Sequence, residues 1–234
     1  AINRTLLNTS IEKNSIIPHW NIVPKGMPGY NPNVTGPDGV TDPAGDTAKA
    51  QAHWATYLST AGASAVKGWS YIYLSSSSTS KAFAEALQGM WQQALPGVTV
   101  TLKPEDFNTF LQDSNSGNYV ATRFGWLDDY PDPQDFLTLL FDTHAQYNSQ
   151  HASVPQADSL MEAADANSNQ AQRMTNYNQA EQLLINAVAT CPMFQSQQFW
   201  QVRSCVHNWT LNASATTSLD SWLATYIDNT CPNI

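Results

Sequence analysis

From residue 46 to residue 126 the chain alternates helix signals with strand signals three times. That alternation restricts it to a mixed α/β fold. DTAKAQAHWATYLSTAG opens with Asp46 or Thr47 as a natural N-cap, runs through alanine-rich helix and stops at Gly62. Trp54 and Leu58 lie four apart and share one face. WSYIYLSS, residues 69–76, alternates and is rich in β-formers, which predicts a strand. SSTSKAFAEALQGMWQQALPG predicts a second helix, with Phe83, Leu87, Met90, Trp91 and Ala94 as its apolar stripe and Pro96-Gly97 as its end. GVTVTL, residues 97–102, alternates again, with Val98, Val100 and Leu102 on one side. PEDFNTFLQD predicts a short helix with Pro104 at its first position and acids in its first turn, broken by Gly117. NYVATRFGW, residues 118–126, predicts a third strand.

The flanks are less regular. Residues 1–13 predict a helix with Ile2, Leu6 and Leu7 on one face, and with no capping residue before it. A start inside a helix suggests a piece of a longer protein. Residues 18–45 hold six prolines and five glycines without apolar periodicity, so they predict a long ordered loop. Two further helices are expected at about 155–167 and 171–190, the second burying Met174, Tyr177, Leu184 and Val188. CPMFQSQQFWQVRSC, residues 191–205, predicts a strand, and the tail to Ile234 predicts loop with short extended pieces. No apolar run approaches the ~18 residues of a membrane span, and no signal peptide is present.

Charge excludes one class of partner. The chain carries ten basic and nineteen acidic residues, a net charge of −9, and no basic run. Binding nucleic acid needs clustered Lys and Arg against phosphate, so no nucleic-acid partner is expected. Ser, Thr, Asn and Gln supply the polar surface, beside eight Trp and nine Tyr. That mixture is common in exported proteins and in proteins that bind small polar ligands. Of three cysteines, none has metal spacing. Cys205 and Cys231 make a bridge in an oxidising compartment; three buried thiols are the competing reading.

The chemistry concentrates in RFGWLDDYPDPQDFL, residues 123–137, which holds four aspartates among large aromatics. Three uses compete. A calcium loop needs acids at alternate positions, a glycine and a distal glutamate, and none of that spacing is here. Glycan hydrolysis needs two carboxylates about 5–9.5 Å apart, whereas neighbours such as Asp128 and Asp129 point apart. There is no GxSxG or HExxH motif, and the five histidines stand singly. Ligand binding fits better. A strand running into an acidic turn presents side chains at a strand's C-terminal end, where α/β domains form clefts. Asp129 there suits a ligand ammonium, and Trp126 and Tyr130 suit its walls. Asp132 before Pro133, and Asp135 after it, read as turn and cap residues, and Asp128 as a solvated neighbour.

GWLDDYPDPQDFL closely resembles the signature of the C-terminal half of family-five extracellular solute-binding proteins, the dipeptide and oligopeptide receptors of ABC importers. AINRTLL, IVPKGMPGYNP, DTAKAQAHWATYLSTAG, KAFAEALQGMWQQALPGVTVTL and RMTNYNQAEQLLINAVATCPMF resemble further segments of that family, in order along nearly the whole chain. The resemblance implies one lobe of a two-lobed periplasmic-binding-protein-like fold, with a mixed sheet flanked by helices. Residues 1–20 would be the helix and crossover from a missing first lobe, 21–205 the second ligand-binding lobe, and 206–234 a segment returning toward the first.

The same resemblance implies the site. Asp129 falls where peptide-binding members pair with a free amino terminus. Arg123 falls where some meet a ligand carboxylate, and an upstream aromatic falls at Phe107. A basic pair used by one oligopeptide receptor falls near Ser114 and Asn115, which are not basic. The implied function is capture of a small peptide between two lobes, without catalysis, cofactor or metal, and delivery to a membrane permease. An oligosaccharide or other polar solute is the alternative ligand, and a carboxylate-dependent glycan hydrolase the alternative class. The implied address is periplasmic or extracellular, with a lipoprotein anchor.

Overall fold

The structure is a computed structural model that describes residues 1–62, 68–212 and 218–231. The parts of the expected loop-rich tail at 213–217 and beyond 231 lie outside the described residues.

Helix α1 spans Arg4–Ser10. It is capped after all: the Asn3 side chain accepts from the Leu6 N–H at 2.8 Å. The expectation of an uncapped start overlooked that asparagine, whose short amide reaches its own backbone. Strand β1 (Ile16–Pro18) follows, then the long loop over 18–45, interrupted by one 3-10 turn at Pro37–Gly39. Helix α2 (Thr47–Ala61) starts at Asp46, whose carboxylate accepts from the Lys49 N–H at 2.9 Å, and ends at Gly62.

Strand β2 (Trp69–Leu74), helix α3 (Ser78–Ala94), strand β3 (Val100–Glu105), helix α4 (Phe107–Ser116) and strand β4 (Ala121–Thr122) form the α/β unit. Their sheet has the order β3-β2-β4 and is parallel throughout. Parallel neighbours need crossover connections, and α3 and α4 supply them. Two boundaries differ from the sequence reading. Pro104 lies inside β3, opposite Tyr73, and Asp106 caps α4. Proline is tolerated because β3 is an edge strand. The strand expected over 118–126 shrinks to two residues, because the chain leaves the sheet at Arg123.

Helices α5 (Pro133–Phe136), α6 (Thr138–Phe141), α7 (Pro155–Asp165) and α8 (Gln170–Asn186) follow. Strand β5 (Phe194–Ser196) pairs antiparallel with β1, so the strand expected over 191–205 is three residues long. In the tail, β6 (Val206–His207) pairs antiparallel with β7 (Tyr226–Ile227) around helix α9 (Leu219–Ala224), which the sequence reading took for loop. Cys205 and Cys231 form a disulfide, and Cys191 is free and exposed.

Two apolar cores result. One gathers Trp54, Tyr71, Phe83, Leu87 and Val100 between the sheet and α2 and α3. The other gathers Val23, Leu137, Phe141, Met161, Tyr177 and Leu184 among α6, α7 and α8. Val188, expected in the second, lies beyond α8 at a positive φ of 54° and is 63% exposed. Glu181 of α8 is fully buried and accepts the backbone N–H groups of Ile22 and Val23 at 2.7 and 2.9 Å, which pins the loop to the helix. Among the described residues no helix is long and apolar enough to cross a membrane.

Candidate functional site

The C-terminal ends of β2, β3 and β4 lie on one edge of the parallel sheet, where such sheets form ligand crevices. Thr122 fixes the last strand end by donating its hydroxyl to the Ile72 carbonyl at 3.2 Å. The next residue is Arg123. Its Nη1 donates to Glu12 at 2.9 Å, 111 residues away, and its guanidinium lies 4.3 Å over the Phe83 ring and 5.3 Å from that of Phe194. Arg123 therefore locks the strand end to α1 and the core.

Beyond Arg123 the backbone is irregular but tied. Phe124 is half exposed and stacks on Phe110 of α4 at 6.5 Å. Phe107 opens the same helix and is exposed. Trp126 donates its indole N–H to Asp135 Oδ2 at 2.9 Å, and its ring packs on Tyr147 at 5.3 Å. The backbone N–H of Asp129 donates to the same Asp135 oxygen at 3.1 Å. Asp135 is fully buried. Burial pushes its carboxyl pKa up, the two donors pull it down, and the charges of Asp129 and Asp128 add to the rise. The loop thus folds around one buried carboxylate, and the Asp129 side chain is left on the exposed side.

Asp132 does structural work of another kind. It caps α5 by accepting from the Gln134 N–H at 2.9 Å. It also forms a two-pronged ion pair with Arg173 of α8, both contacts 2.7 Å. Burial alone would raise its pKa, but the Arg173 and Gln134 hydrogen bonds outweigh burial and hold it below the usual range. Arg173 in turn sits 4.9 Å over Tyr177 and donates to its hydroxyl, which donates to Asp165. Tyr130 is 39% exposed, donates to Gln134 Oε1 at 3.2 Å and lines a shallow pocket of about 370 Å³ with Thr138, His144 and Gln146. Burial and the charges of Asp135, Asp132, Asp165 and Asp129 push its phenol pKa up, so it stays a neutral donor.

The structure therefore brings Trp126, Asp129 and Tyr130 together around Asp135, sets Phe107 on the helix that stacks against Phe124, and turns Arg123 toward Glu12. The partners that organise the loop from afar, Glu12 and Arg173, carry no local sequence signal. Among the described residues no cluster of three His, Cys, Asp or Glu side chains forms a metal site. Asp128 is half-buried rather than fully solvated.

The profile of the bacterial extracellular solute-binding proteins, family 5 (middle region), matches residues 1–148. The periplasmic murein peptide-binding protein MppA of Escherichia coli strain K12 is 29% identical over 196 residues, which is 83% of this chain and 35% of that protein. A dipeptide-binding protein of Lactococcus lactis subsp. cremoris strain MG1363 is 41% identical over 85 residues, 36% of this chain and 15% of that protein. The chain thus spans about a third of MppA's length. The unliganded open form of MppA superposes with a TM-score of 0.76 at 24% identity, over 97% of this chain and 42% of that one, a likeness of fold. A peptide-binding protein of a peptide ABC transporter superposes with a TM-score of 0.69 at 28% identity, over 84% of this chain and 87% of that one. With a tied acidic turn at a parallel sheet's C-terminal edge and a family match over more than half its length, the chain belongs to the bacterial extracellular solute-binding proteins of family 5.

Proposed function

We propose that this chain is the second ligand-binding lobe of a peptide receptor serving an ABC importer, and that Asp129 takes the amino terminus of a small peptide. One observation carries the reading: an exposed carboxylate whose backbone is pinned by a buried one, at the sheet edge where clefts form, between Trp126 and Tyr130. A fixed carboxylate meets an ammonium without reorganising, which favours binding. The named relatives bind murein peptides or dipeptides, which supports peptides over oligosaccharides. Trp126, Tyr130 and Phe107 supply apolar walls. Arg123 reaches a ligand carboxylate only by leaving Glu12.

In this reading residues 21–205 form the lobe, residues 1–20 its crossover, and residues 206–234 return to a first lobe outside the chain. That first lobe closes over the ligand, a permease in the membrane receives the closed form, and the whole protein works in the periplasm or outside the cell on a lipid anchor. The chain binds and does not catalyse. Calorimetry on the longest chain the gene encodes tests the site. Asp129→Asn is expected to weaken binding of a free-amine tripeptide roughly tenfold to a hundredfold, the worth of a hydrogen bond to a charged group. N-acetylation of the tripeptide gives a loss of the same size in the unaltered protein. Equal affinity for the acetylated and free peptide rejects Asp129 as the ammonium site.

A further inference from the structure

The shallow pocket of about 370 Å³ beside the acidic turn is lined by Tyr130, Gln134, Thr138, Asp142 and His144, among others. That volume is in the range of small-ligand pockets. Its chemistry is one-sided: no Lys or Arg is among its lining residues, whereas Asp142 is.

Asp142 is held in place. It follows α6, and its backbone N–H donates to the Thr138 carbonyl at 3.2 Å. Its Oδ1 accepts the His144 backbone N–H at 2.8 Å, and its carbonyl accepts from the Asn148 amide at 3.1 Å. Among the described residues no ion pair includes Asp142 and its Oδ2 accepts no hydrogen bond. Nor is Oδ2 one of the unpartnered oxygens sealed from solvent. A fixed carboxylate thus keeps one oxygen open.

The hydroxyls of the pocket have already given their protons to protein acceptors. Tyr130 donates to Gln134 Oε1 at 3.2 Å, and Thr138 donates to Asp165 Oδ1 at 3.3 Å. A hydroxyl has one proton, so each of these oxygens has only lone pairs left to offer. Tyr130 also contributes a ring, 39% exposed, whose face attracts a cation. The field at its oxygen has a single sign. After burial, the charges of Asp135, Asp132, Asp165 and Asp129 push the phenol pKa up, and Arg173 offsets Asp132 alone by an ion pair. Acceptors, an open carboxylate and an aromatic wall in a negative field suit a group that only donates. Ammonium and guanidinium are such groups, whereas a carboxylate would meet lone pairs.

We propose that this pocket binds an alkylammonium or guanidinium group, with Asp142 as its counter-charge and Tyr130 as its wall, and that it selects ligands carrying such a group. A Lys or Arg side chain as the source of that cation rests on the peptide reading above, with Asp129, the residue before Tyr130, holding the amino terminus. A free alkylguanidinium shares the chemistry and does not rest on it.

The test uses the longest chain the gene encodes. The probes are alanine tripeptides carrying arginine, or its neutral isostere citrulline, at the first or second position, and free n-butylguanidinium. By calorimetry the arginine peptide is expected to bind about tenfold tighter than its citrulline counterpart at one of these positions. Asp142→Asn keeps an oxygen for the His144 N–H and removes the charge; it should abolish that preference and leave the citrulline peptide within about twofold. Asp129→Asn weakens both peptides alike. The backbone N–H resonance of His144 reports on the Asp142 carboxylate in the unaltered protein, and millimolar n-butylguanidinium is expected to shift it. If the guanidinium shifts that resonance while no peptide binds, the cation pocket stands and the peptide reading falls. If it shifts the resonance and arginine and citrulline peptides bind equally, the pocket stands with a free cation as its ligand. If the peptides bind equally and the resonance stays in place, the pocket is overturned, whatever Asp129 does. A preference for arginine that survives Asp142→Asn overturns it too, because the cation is then held elsewhere.

Discussion

Residues 123–136 and the described residues of the tail, 199–212 and 218–231, are both poor in regular structure and rich in large aromatics. In the first, each polar anchor finds its partner inside the chain: Arg123 meets Glu12, Trp126 and the Asp129 N–H meet Asp135, and Asp132 meets Arg173. In the second, a disulfide and the His207–Asp228 contact of 2.7 Å hold the backbone together. Its apolar side chains stay outside: Phe199 is 74% exposed, Trp222 61% and Leu223 78%. Large hydrophobics left at that exposure suit an interaction face. Local irregularity therefore has two origins. A loop shaped by buried charge is complete in itself, whereas a tail with an outward apolar face needs something to lie against. The returning segment proposed above fits the second description.

The largest effect separates the two regions. Cys205 and Cys231 close a loop of 26 residues. Loop-closure entropy gives such a crosslink roughly 3.5 kcal/mol. Replacing both cysteines by serine is expected to lower hydrogen-exchange protection in residues 206–212 and 218–231 by about that amount, and to leave residues 123–136 unchanged. Equal losses in both regions would show that the tail and the acidic turn belong to one cooperative unit, and the comparison would fail.

Glu181 sharpens the first half of the comparison. It lies on α8, the helix that also carries Arg173, and it is fully buried. Burial pushes its carboxyl from an ordinary 4.5 to about 7, against the opposing pull of the Val23 and Ile22 N–H groups. The folded state therefore holds this proton more tightly than the unfolded one. The resulting stability is fully present below about pH 4.5 and is lost as pH rises through 7, a change of about 3 kcal/mol. Glu181→Gln keeps an oxygen for Ile22 and Val23 and carries no charge. Denaturation curves from pH 4 to 9 should show a loss between pH 4.5 and 7 that is smaller in the variant by about 3 kcal/mol. The same slope in both would mean that Glu181 is not the titrating group.

The fold was legible wherever its signal is local. Asp46 caps α2 and Gly62 ends it, Ser77 accepts from the Ser80 N–H to start α3, and α7 and α8 fall close to their expected bounds. Propensity misled where tertiary contact decides. Pro104 reads as a helix start but pairs across to Tyr73 as an edge strand. Residues 118–126 read as a strand, yet the Glu12 pairing pulls Arg123 out of the sheet after two residues. Val188 continues the α8 stripe in sequence, but the helix has already ended at Asn186. Within the acidic motif the division of labour was partly readable: an Asp before Pro announces a cap, and Asp132 is one. That Arg173 would clamp it was not, because 41 residues separate them and no spacing rule links the two.

The smallest effects test the inner logic of the acidic turn, where two aspartates six residues apart have opposite surroundings. Asp135 is buried and accepts two N–H groups; the Asp129 side chain is exposed. Asp135→Ala strands the Trp126 indole N–H and the Asp129 backbone N–H, at about 1–3 kcal/mol. Asp135→Asn retains an acceptor oxygen and removes a charge that burial disfavours, so less than half of that loss is expected. Asp129→Ala changes stability by no more than ~0.5 kcal/mol, as exposed substitutions do. Under the function proposed above it also removes the ammonium contact. Urea denaturation beside peptide calorimetry separates the pair: Asp135→Ala should lose stability and binding together, since the turn that presents Asp129 is released, while Asp129→Ala should lose binding alone. A stable Asp135→Ala protein that still binds peptide would mean that the buried carboxylate does not position the site, and the turn would then be no more self-contained than the tail.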